Sequence, residues 1–282
     1  MFLGKGWHLG IRPFVLRRLL PDFLVIGAMK SGTNSLHDYL NGHPDIFMPP
    51  IRESCLFMNE DDVFRHWHGL SNDQILAKWS HSYRGQRLIG ESPTAYTRMP
   101  EHGTEVPANV RAVRPDMKFV YMIRNPLERV ISHYYHHIRH GYIPEDVDIE
   151  TFLLQTDQPL DISLYYSQLL NYLEIFPAEQ FRVLLLEEFI LDPVPRVREL
   201  FGFLGVNDQV EFPQLFRKLN ENPVKRKIAS AKLKLAPATW QRLMERISED
   251  KAGLEGFLGR TIECWDLSED FWCTGIPTAQ VP

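Results

Sequence analysis

The most constraining feature of the chain is the stretch FLVIGAMKSGTNSL at residues 23–36, where an apolar run changes abruptly into a polar turn. The apolar run predicts a short buried strand, and the residues from Leu36 onwards predict a helix. Such a turn presents N–H groups that lack intrahelical partners, at the end of the helix dipole that attracts negative charge. Its polar residues are Lys30, Ser31, Gly32, Thr33, Asn34 and Ser35. The lysine charge and the hydroxyl donors predict a site for a phosphate-like group.

This loop differs from the usual nucleoside-triphosphate loop, G-x-x-x-x-G-K-[ST], in which lysine follows the second glycine. Here Lys30 precedes Gly32, and no Gly-Lys-Ser or Gly-Lys-Thr follows. The order of residues argues against an ATP-dependent kinase with a P-loop-like fold. That kinase is the first alternative function.

A second segment, KFVYMIRNPLERVISHYY at residues 118–135, also opens with an apolar run typical of a buried strand. Arg124 stands at the end of this strand. Asn125 is a good helix cap and Pro126 suits a first helical turn, so a helix is predicted to about residue 140. Arg124 and Ser132 are eight residues apart and could reach one oxyanion from the strand end and the helix. An arginine fork with a hydroxyl suits a phosphate monoester.

Together the two segments resemble the nucleotide-binding motifs of sulfotransferases that use 3′-phosphoadenosine 5′-phosphosulfate (PAPS). The order K-S-G-T resembles their 5′-phosphosulfate loop, and the second segment fits their pattern R-[DN]-P-x-x-R-x-x-S-x-Y. The matching residues are Arg124, Asn125, Pro126, Arg129, Ser132 and Tyr134. Similarity to the heparan-sulfate-type and bacterial branches covers roughly residues 20–266. The supporting segments are PPIRESCLF (49–57), IGESPTAY (89–96), LLLEEFILDPVPRVRELFGFLGV (184–206) and GLEGFLGRTIECW (253–265).

The resemblance implies transfer of a sulfuryl group from PAPS to a hydroxyl or amine, with a carbohydrate or glycolipid as the expected acceptor. Residues 31–35 would hold the 5′-phosphate through backbone N–H groups, with Lys30 at the leaving oxygen. Arg124 and Ser132 would hold the 3′-phosphate, and Arg226 would close over it from a late basic loop. The product would be adenosine 3′,5′-bisphosphate (PAP), and no metal is expected.

The sequence offers more than one candidate for the general base. Glu53 matches the base of heparan-type enzymes, and Glu91 is the second choice. The histidines left open as bases or acceptor contacts are His37, His133, His136 and His137. Two departures from the family pattern are Cys55, where some relatives have a helper histidine, and Ser92, where glycan-modifying relatives have a catalytic lysine. They leave open a second alternative function, a nucleotide-binding relative without catalysis.

Short apolar strands at 23–27, 88–90, 119–123 and 181–186 alternate with helical patterns near 33–42, 71–80, 105–113, 126–140, 161–176, 195–204 and 238–258. This alternation predicts an α/β, P-loop-like three-layer fold with a central parallel β-sheet flanked by helices. Ligands bind beyond the carboxyl ends of such strands, so both motifs should meet there. We expect one domain over residues 1–282, with a core at 20–266, an N-terminal extension at 1–19 and a tail at 267–282. Residues 207–237 are expected to form an excursion or lid.

The 31 basic and 36 acidic side chains give a net charge of −5, which predicts no general attraction to nucleic acid. The expected partners are a nucleotide and a hydroxylated acceptor, which is a glycan, a glycolipid or a small metabolite. Three scattered cysteines favour a reducing compartment. Charges interrupt the apolar residues at 11–28, so no transmembrane segment or signal peptide is predicted and a cytoplasmic location is expected. The basic run RPFVLRRLL (12–20) is a weak candidate for contact with a membrane surface.

Overall fold

The computed structural model describes residues 16–59, 69–210 and 234–268. The strands are β1 (Phe23–Gly27), β2 (Ile46–Phe47), β3 (Leu88–Glu91), β4 (Lys118–Ile123) and β5 (Phe181–Leu185). The α-helices are α1 (Thr33–Asn41), α2 (Asn72–Ser82), α3 (Val106–Val113), α4 (Pro126–Arg139), α5 (Ile149–Gln155), α6 (Gln158–Asp161), α7 (Tyr165–Leu173), α8 (Leu186–Leu191), α9 (Pro193–Leu204) and α10 (Pro237–Leu258). Short 3-10 helices span Leu16–Leu19, Thr94–Thr97 and Ala178–Gln180.

The five strands form one parallel sheet in the order β2-β3-β1-β4-β5. Leu24 in β1 pairs with Glu91 in β3 on one side and with Phe119 in β4 on the other. The chain first builds the sheet on the β3 side of β1 and then crosses to the β4 side. This change of direction creates a crevice between the carboxyl ends of β1 and β4, where open α/β sheets bind ligands.

Helices cover both faces of the sheet because alternate strand residues point to opposite sides. On one face the strands pack against α2, α3 and α7, in a cluster that includes Leu24, Phe119, Trp79, Val110 and Tyr172. On the other face they pack against α1 and α9, in a cluster that includes Val25, Val120, Leu36, Val197 and Leu200. All five residues of β1 are buried, as a central parallel strand requires. The predicted three-layer α/β fold is confirmed.

The sequence patterns located the four longer strands and missed β2, which has only two residues and so shows no alternation. The strand predicted to reach residue 186 ends at Leu185, and Leu186 begins α8. The helix predicted at 161–176 is shorter, since the chain bends between α6 and α7. At this bend Ser163 is buried and bonded to Arg129 of α4, a tertiary contact that local periodicity does not reveal.

In the described part of the chain, no helix combines the length and apolar character needed to cross a membrane. The basic run at 12–20 enters the described residues as a 3-10 helix. Its last two residues, Leu19 and Leu20, are buried, and Leu19 belongs to the larger core cluster. This end of the run therefore packs on the domain. The expected excursion at 207–237 falls largely outside the described residues.

Candidate active site

The loop between β1 and α1 turns tightly because two of its residues adopt left-handed backbone conformations. Lys30 has φ of 71° and Gly32 has φ of 87°. A Cβ atom added at Gly32 would lie 2.7 Å from the Cδ1 atom of Leu186. The backbone angle therefore favours glycine at this position, and a larger residue would also have to displace the end of the Leu186 side chain.

The main chain of this loop leaves donors ahead of the helix. The N–H groups of Ser35 and Leu36 both donate to the carbonyl of Gly32, at 3.0 and 3.1 Å. The N–H groups of Gly32 and of the two residues after it lie before this first turn of the hydrogen-bond ladder. The N–H of Ser31 instead donates to the carbonyl of Ala28 at 3.1 Å. Of the predicted backbone donors, those at 32–34 are therefore the best placed to bind an anion.

The Lys30 ammonium lies among other cations. Burial, together with the charges of Arg139, Arg124 and Arg129, lowers its pKa to about 8. These arginines belong to α4 or precede it directly, so the second motif faces the first at the crevice between β1 and β4. Such a concentration of positive charge favours a ligand with several negative charges.

Arg124 directly follows β4 and is 9% exposed. Its Nε atom donates to Oε2 of Glu128 at 2.9 Å, and its Nη2 atom donates to the same oxygen. The side chain of Asn125 caps α4, as predicted. Its Nδ2 atom also donates to the carbonyl of Asp266 at 2.8 Å, and its main-chain N–H donates to Glu187 at 2.8 Å. The end of β4 is thus fixed by the C-terminal segment and by α8.

Arg129 is completely buried and connects three parts of the fold. Its Nε atom donates to the hydroxyl of Ser163 at 2.6 Å, and its Nη2 atom donates to the carbonyl of Pro159. Its Nη1 atom donates to the carbonyl of Met29, directly before Lys30, at 3.4 Å. Burial lowers the Arg129 pKa to about 10. Sequence reasoning gave this residue only a place in the motif and missed its contact with the loop.

Ser132 lies two turns into α4 and is partly exposed. The other predicted residue of the nucleotide site, Arg226, lies outside the described residues. The side chains of the first loop differ in exposure. Ser31 and Thr33 are buried, whereas Asn34 is exposed.

The histidines of α4 form a neutral chain. Arginine can only donate, so Nδ1 of His133 accepts from Nη1 of Arg129, at 3.3 Å. The Nε2 atom of His133 therefore carries its proton and donates to Nε2 of His137, at 2.9 Å. Burial lowers the pKa of both rings, and it lowers that of His136 to about 3 with help from the Lys30 charge. No group of three or more potential metal ligands is arranged around an ion site among the described residues.

Glu53 is a partly buried carboxylate held by the 3-10 helix that follows β3. Its Oε2 accepts from the N–H of Thr94 at 2.8 Å, and its Oε1 accepts from the Thr94 hydroxyl at 3.0 Å. Burial raises the Glu53 pKa, although these bonds and the charge of Arg98 act in the opposite direction. A raised pKa strengthens a carboxylate as a proton acceptor.

Glu91, the second-choice base, is fully buried at the end of β3. Its Oε1 accepts from the Ser54 hydroxyl at 2.6 Å and the Leu56 N–H at 3.0 Å. Its Oε2 accepts from the Tyr96 hydroxyl at 2.8 Å. These bonds tie Glu91 to the loop that carries Glu53, and Glu91 is the more deeply buried of the two carboxylates.

Ser92, one of the two expected departures from the family pattern, bonds to His37 across 2.8 Å. Both side chains are buried, and burial lowers the His37 pKa to about 4. The pair joins α1 to the loop after β3. Cys55 is also buried, with φ of 53°. The two departures from the family pattern are therefore packed against the protein rather than presented at its surface.

The proposed base and the cationic crevice share one electrostatic neighbour, Arg98. The charge of this buried arginine lowers the pKa of Glu53, of Arg129 and of His137. The ends of β1, β3 and β4 thus converge on one region. It combines several cationic side chains with the carboxylate of Glu53.

A family model described as a sulfotransferase domain matches residues 20–251. The chain belongs to the sulfotransferase family. This confirms the prediction from the two motifs.

Among the relatives of this sulfotransferase is the mouse heparan sulfate glucosamine 3-O-sulfotransferase 6, which is 26% identical over 208 residues. That match covers 67% of the chain and 54% of the relative, so the chain spans about half the length of the curated relatives it matches. A solved sulfotransferase from Alicyclobacillus acidocaldarius is 26% identical with a TM-score of 0.69, covering 87% of this chain and 98% of that one.

A mouse sulfotransferase solved in complex with PAP has a TM-score of 0.52 at 16% identity. The match covers 83% of this chain and 87% of the mouse chain. This likeness shows that the two proteins share a fold.

Proposed function

We propose that this sulfotransferase moves the sulfuryl group of PAPS to a hydroxyl or amine of an acceptor by in-line displacement. The observation that carries the proposal is the position of Lys30 and Arg124. They follow adjacent parallel strands, and the charge of Arg124 lowers the pKa of Lys30. One nucleotide with phosphate groups at both ends of its ribose would neutralise both side chains.

The nucleotide is held at its two phosphates. N–H groups of residues 32–34 bind the 5′-phosphate at the start of α1. Arg124 binds the 3′-phosphate with the hydroxyl of Ser132, and the sequence resemblance adds Arg226 to the residues for this phosphate. The buried charge of Arg129 adds to the attraction, while its bond to the Met29 carbonyl holds the loop in place.

In the chemical step the acceptor oxygen attacks sulfur and the bond from sulfur to the 5′-phosphate oxygen breaks. Glu53 accepts the acceptor proton as the new bond forms. The electron pair of the broken bond stays on the phosphate oxygen, where the Lys30 ammonium neutralises the charge. These side chains supply the charge stabilisation that sulfuryl transfer needs.

We propose a carbohydrate or glycolipid acceptor because the relatives include heparan sulfate sulfotransferases. Ser92 replaces the lysine of glycan-modifying enzymes and is bonded to His37. The acceptor side is therefore expected to be built differently from theirs. Family membership and the position of Lys30 both disfavour the kinase alternative.

Calorimetry with PAP, 5′-AMP and ATP–Mg²⁺ tests the nucleotide site. PAP differs from AMP only by the 3′-phosphate. The wild type should bind PAP more tightly than either of the other ligands. Arg124→Ala should weaken the binding of PAP by about 2–4 kcal/mol, with little effect on the binding of AMP. Equal affinities for PAP and AMP would remove the assigned 3′-phosphate site.

Turnover with labelled PAPS and a panel of sugars, glycolipids and small alcohols tests catalysis. Transfer of label to a hydroxylated acceptor is expected. Tight PAP binding without transfer to any member of a broad panel would favour the non-catalytic relative.

A further inference from the structure

We propose that Glu128 is an internal competitor of the nucleotide's 3′-phosphate. Its carboxylate pairs with Arg124 when no nucleotide is bound, and the 3′-phosphate displaces it when the nucleotide binds. The exchange limits the affinity for PAP and speeds release of this product. The inference rests on the proposed function, because it requires Arg124 to bind the 3′-phosphate.

The geometry of the pair supports this exchange. The single oxygen Oε2 of Glu128 accepts hydrogen bonds from both Nε and Nη2 of Arg124. This edge of the guanidinium is one that binds a phosphate through two parallel bonds. Among the described residues, the bonds of this guanidinium use that edge alone. A phosphate that engages the edge must therefore displace Glu128 or share its donors.

Glu128 is placed to move away at low cost. Its side chain is 26% exposed, compared with 10% for Arg124, so the carboxylate can turn to solvent. Its main chain stays fixed, since its N–H donates to the Asn125 side chain at 3.3 Å in the first turn of α4. The positive end of the helix dipole at this first turn favours negative charge.

The charges around Arg124 determine how the exchange affects the affinity for PAP. The charges of Arg124, Arg129 and Arg139 all act on Lys30, and Glu128 pairs with one of these four cations. A doubly charged 3′-phosphate that replaces the carboxylate still has this negative charge close by. Repulsion between the phosphate and the Glu128 carboxylate lowers the affinity for PAP. The carboxylate also assists product release, because it can pair with Arg124 again as PAP leaves.

The test compares the wild type with Glu128→Gln, which keeps the shape and removes the charge. We expect this substitution to raise the affinity for PAP about five- to tenfold, while the affinity for AMP changes less than about twofold. Stopped-flow displacement should show PAP dissociating more slowly by a similar factor. Glu199→Gln is the matched control, because Glu199 pairs with Arg196 on α9 at 3.0 and 2.9 Å and its loss changes the net charge equally. This control should leave PAP affinity unchanged.

Unchanged or weaker PAP binding in Glu128→Gln would overturn the inference and make Glu128 a support that orients Arg124. Glu128→Ala should also raise the affinity for PAP. Thermal melts verify that the variants are folded. A wild type that prefers PAP over AMP while Glu128→Gln has no effect refutes this inference alone. A wild type that does not distinguish PAP from AMP refutes the proposed nucleotide site as well.

Discussion

Binding of PAP should take up a proton at alkaline pH, because the Lys30 ammonium of the nucleotide-free protein loses its proton early. Its pKa is about 8, against an ordinary value of 10.5. Burial and three neighbouring arginines disfavour the charged form, and a bound phosphate reverses the electrostatic part of that effect. The pKa of Lys30 should therefore return towards its ordinary value when PAP binds.

The size of the uptake follows from these two values. Lys30 is about 3% deprotonated at pH 6.5, about 50% at pH 8 and about 90% at pH 9. If PAP fully restores the ordinary pKa, uptake rises from almost no proton at pH 6.5 to about 0.5 at pH 8 and about 0.9 at pH 9. The protonated lysine binds the anion better, so the affinity for PAP should fall as the pH rises through 8.

Calorimetric titrations in two buffers of different ionisation enthalpy measure the number of protons directly. Other groups interfere little, because a phosphate monoester loses its second proton near pH 6. The His37 and His136 pKa values, about 4 and about 3, lie still lower. Lys30→Met should abolish the uptake. No uptake at pH 9 in the wild type, or the same uptake in Lys30→Met, would refute the placement of Lys30 beside the nucleotide.

Lys30→Met should also stabilise the nucleotide-free protein at pH 7 by about 1–2 kcal/mol in urea unfolding, since it removes a buried ammonium among arginines. The lowered pKa costs stability below pH 8, and this cost disappears as the pH rises towards 10.5, so the gain should shrink over that range. Glu53→Gln should lower kcat about 100- to 10,000-fold in the labelled PAPS assay, with PAP affinity unchanged, because it removes the proposed base. Arg129→Met should destabilise the fold by about 2–4 kcal/mol in urea unfolding, because it removes the arginine donor to the Met29 carbonyl and the Ser163 hydroxyl and one of the two donors to the Pro159 carbonyl.

A specific result would contradict each of these three predictions. A Lys30→Met variant with a constant stability gain between pH 7 and 10 would contradict the lowered pKa. A Glu53→Gln variant with normal kcat would assign the proton transfer to another group. Wild-type stability in Arg129→Met would show that the buried contacts of this arginine contribute nothing to folding.

Local sequence determined the main elements of the fold and the candidate loops. Apolar runs marked β1, β3, β4 and β5 because a buried parallel strand needs continuous apolar residues. Asn125 and Pro126 marked the start of α4 because their capping and backbone preferences act within one helical turn. The order of Lys30 and Gly32 likewise distinguished the loop from that of a kinase. These signals were sufficient for the family and the three-layer fold.

Only the tertiary structure decided which groups bond to each polar side chain and how deeply each side chain is buried. Glu53 and Glu91 are both bonded at both carboxylate oxygens, Glu53 to Thr94 and Glu91 to groups that include Ser54 and Tyr96, but only Glu91 is fully buried. Arg129 reaches Met29 and Ser163 across long stretches of chain. Burial and hydrogen-bond partners depend on neighbours brought together by folding, and no local pattern encodes them.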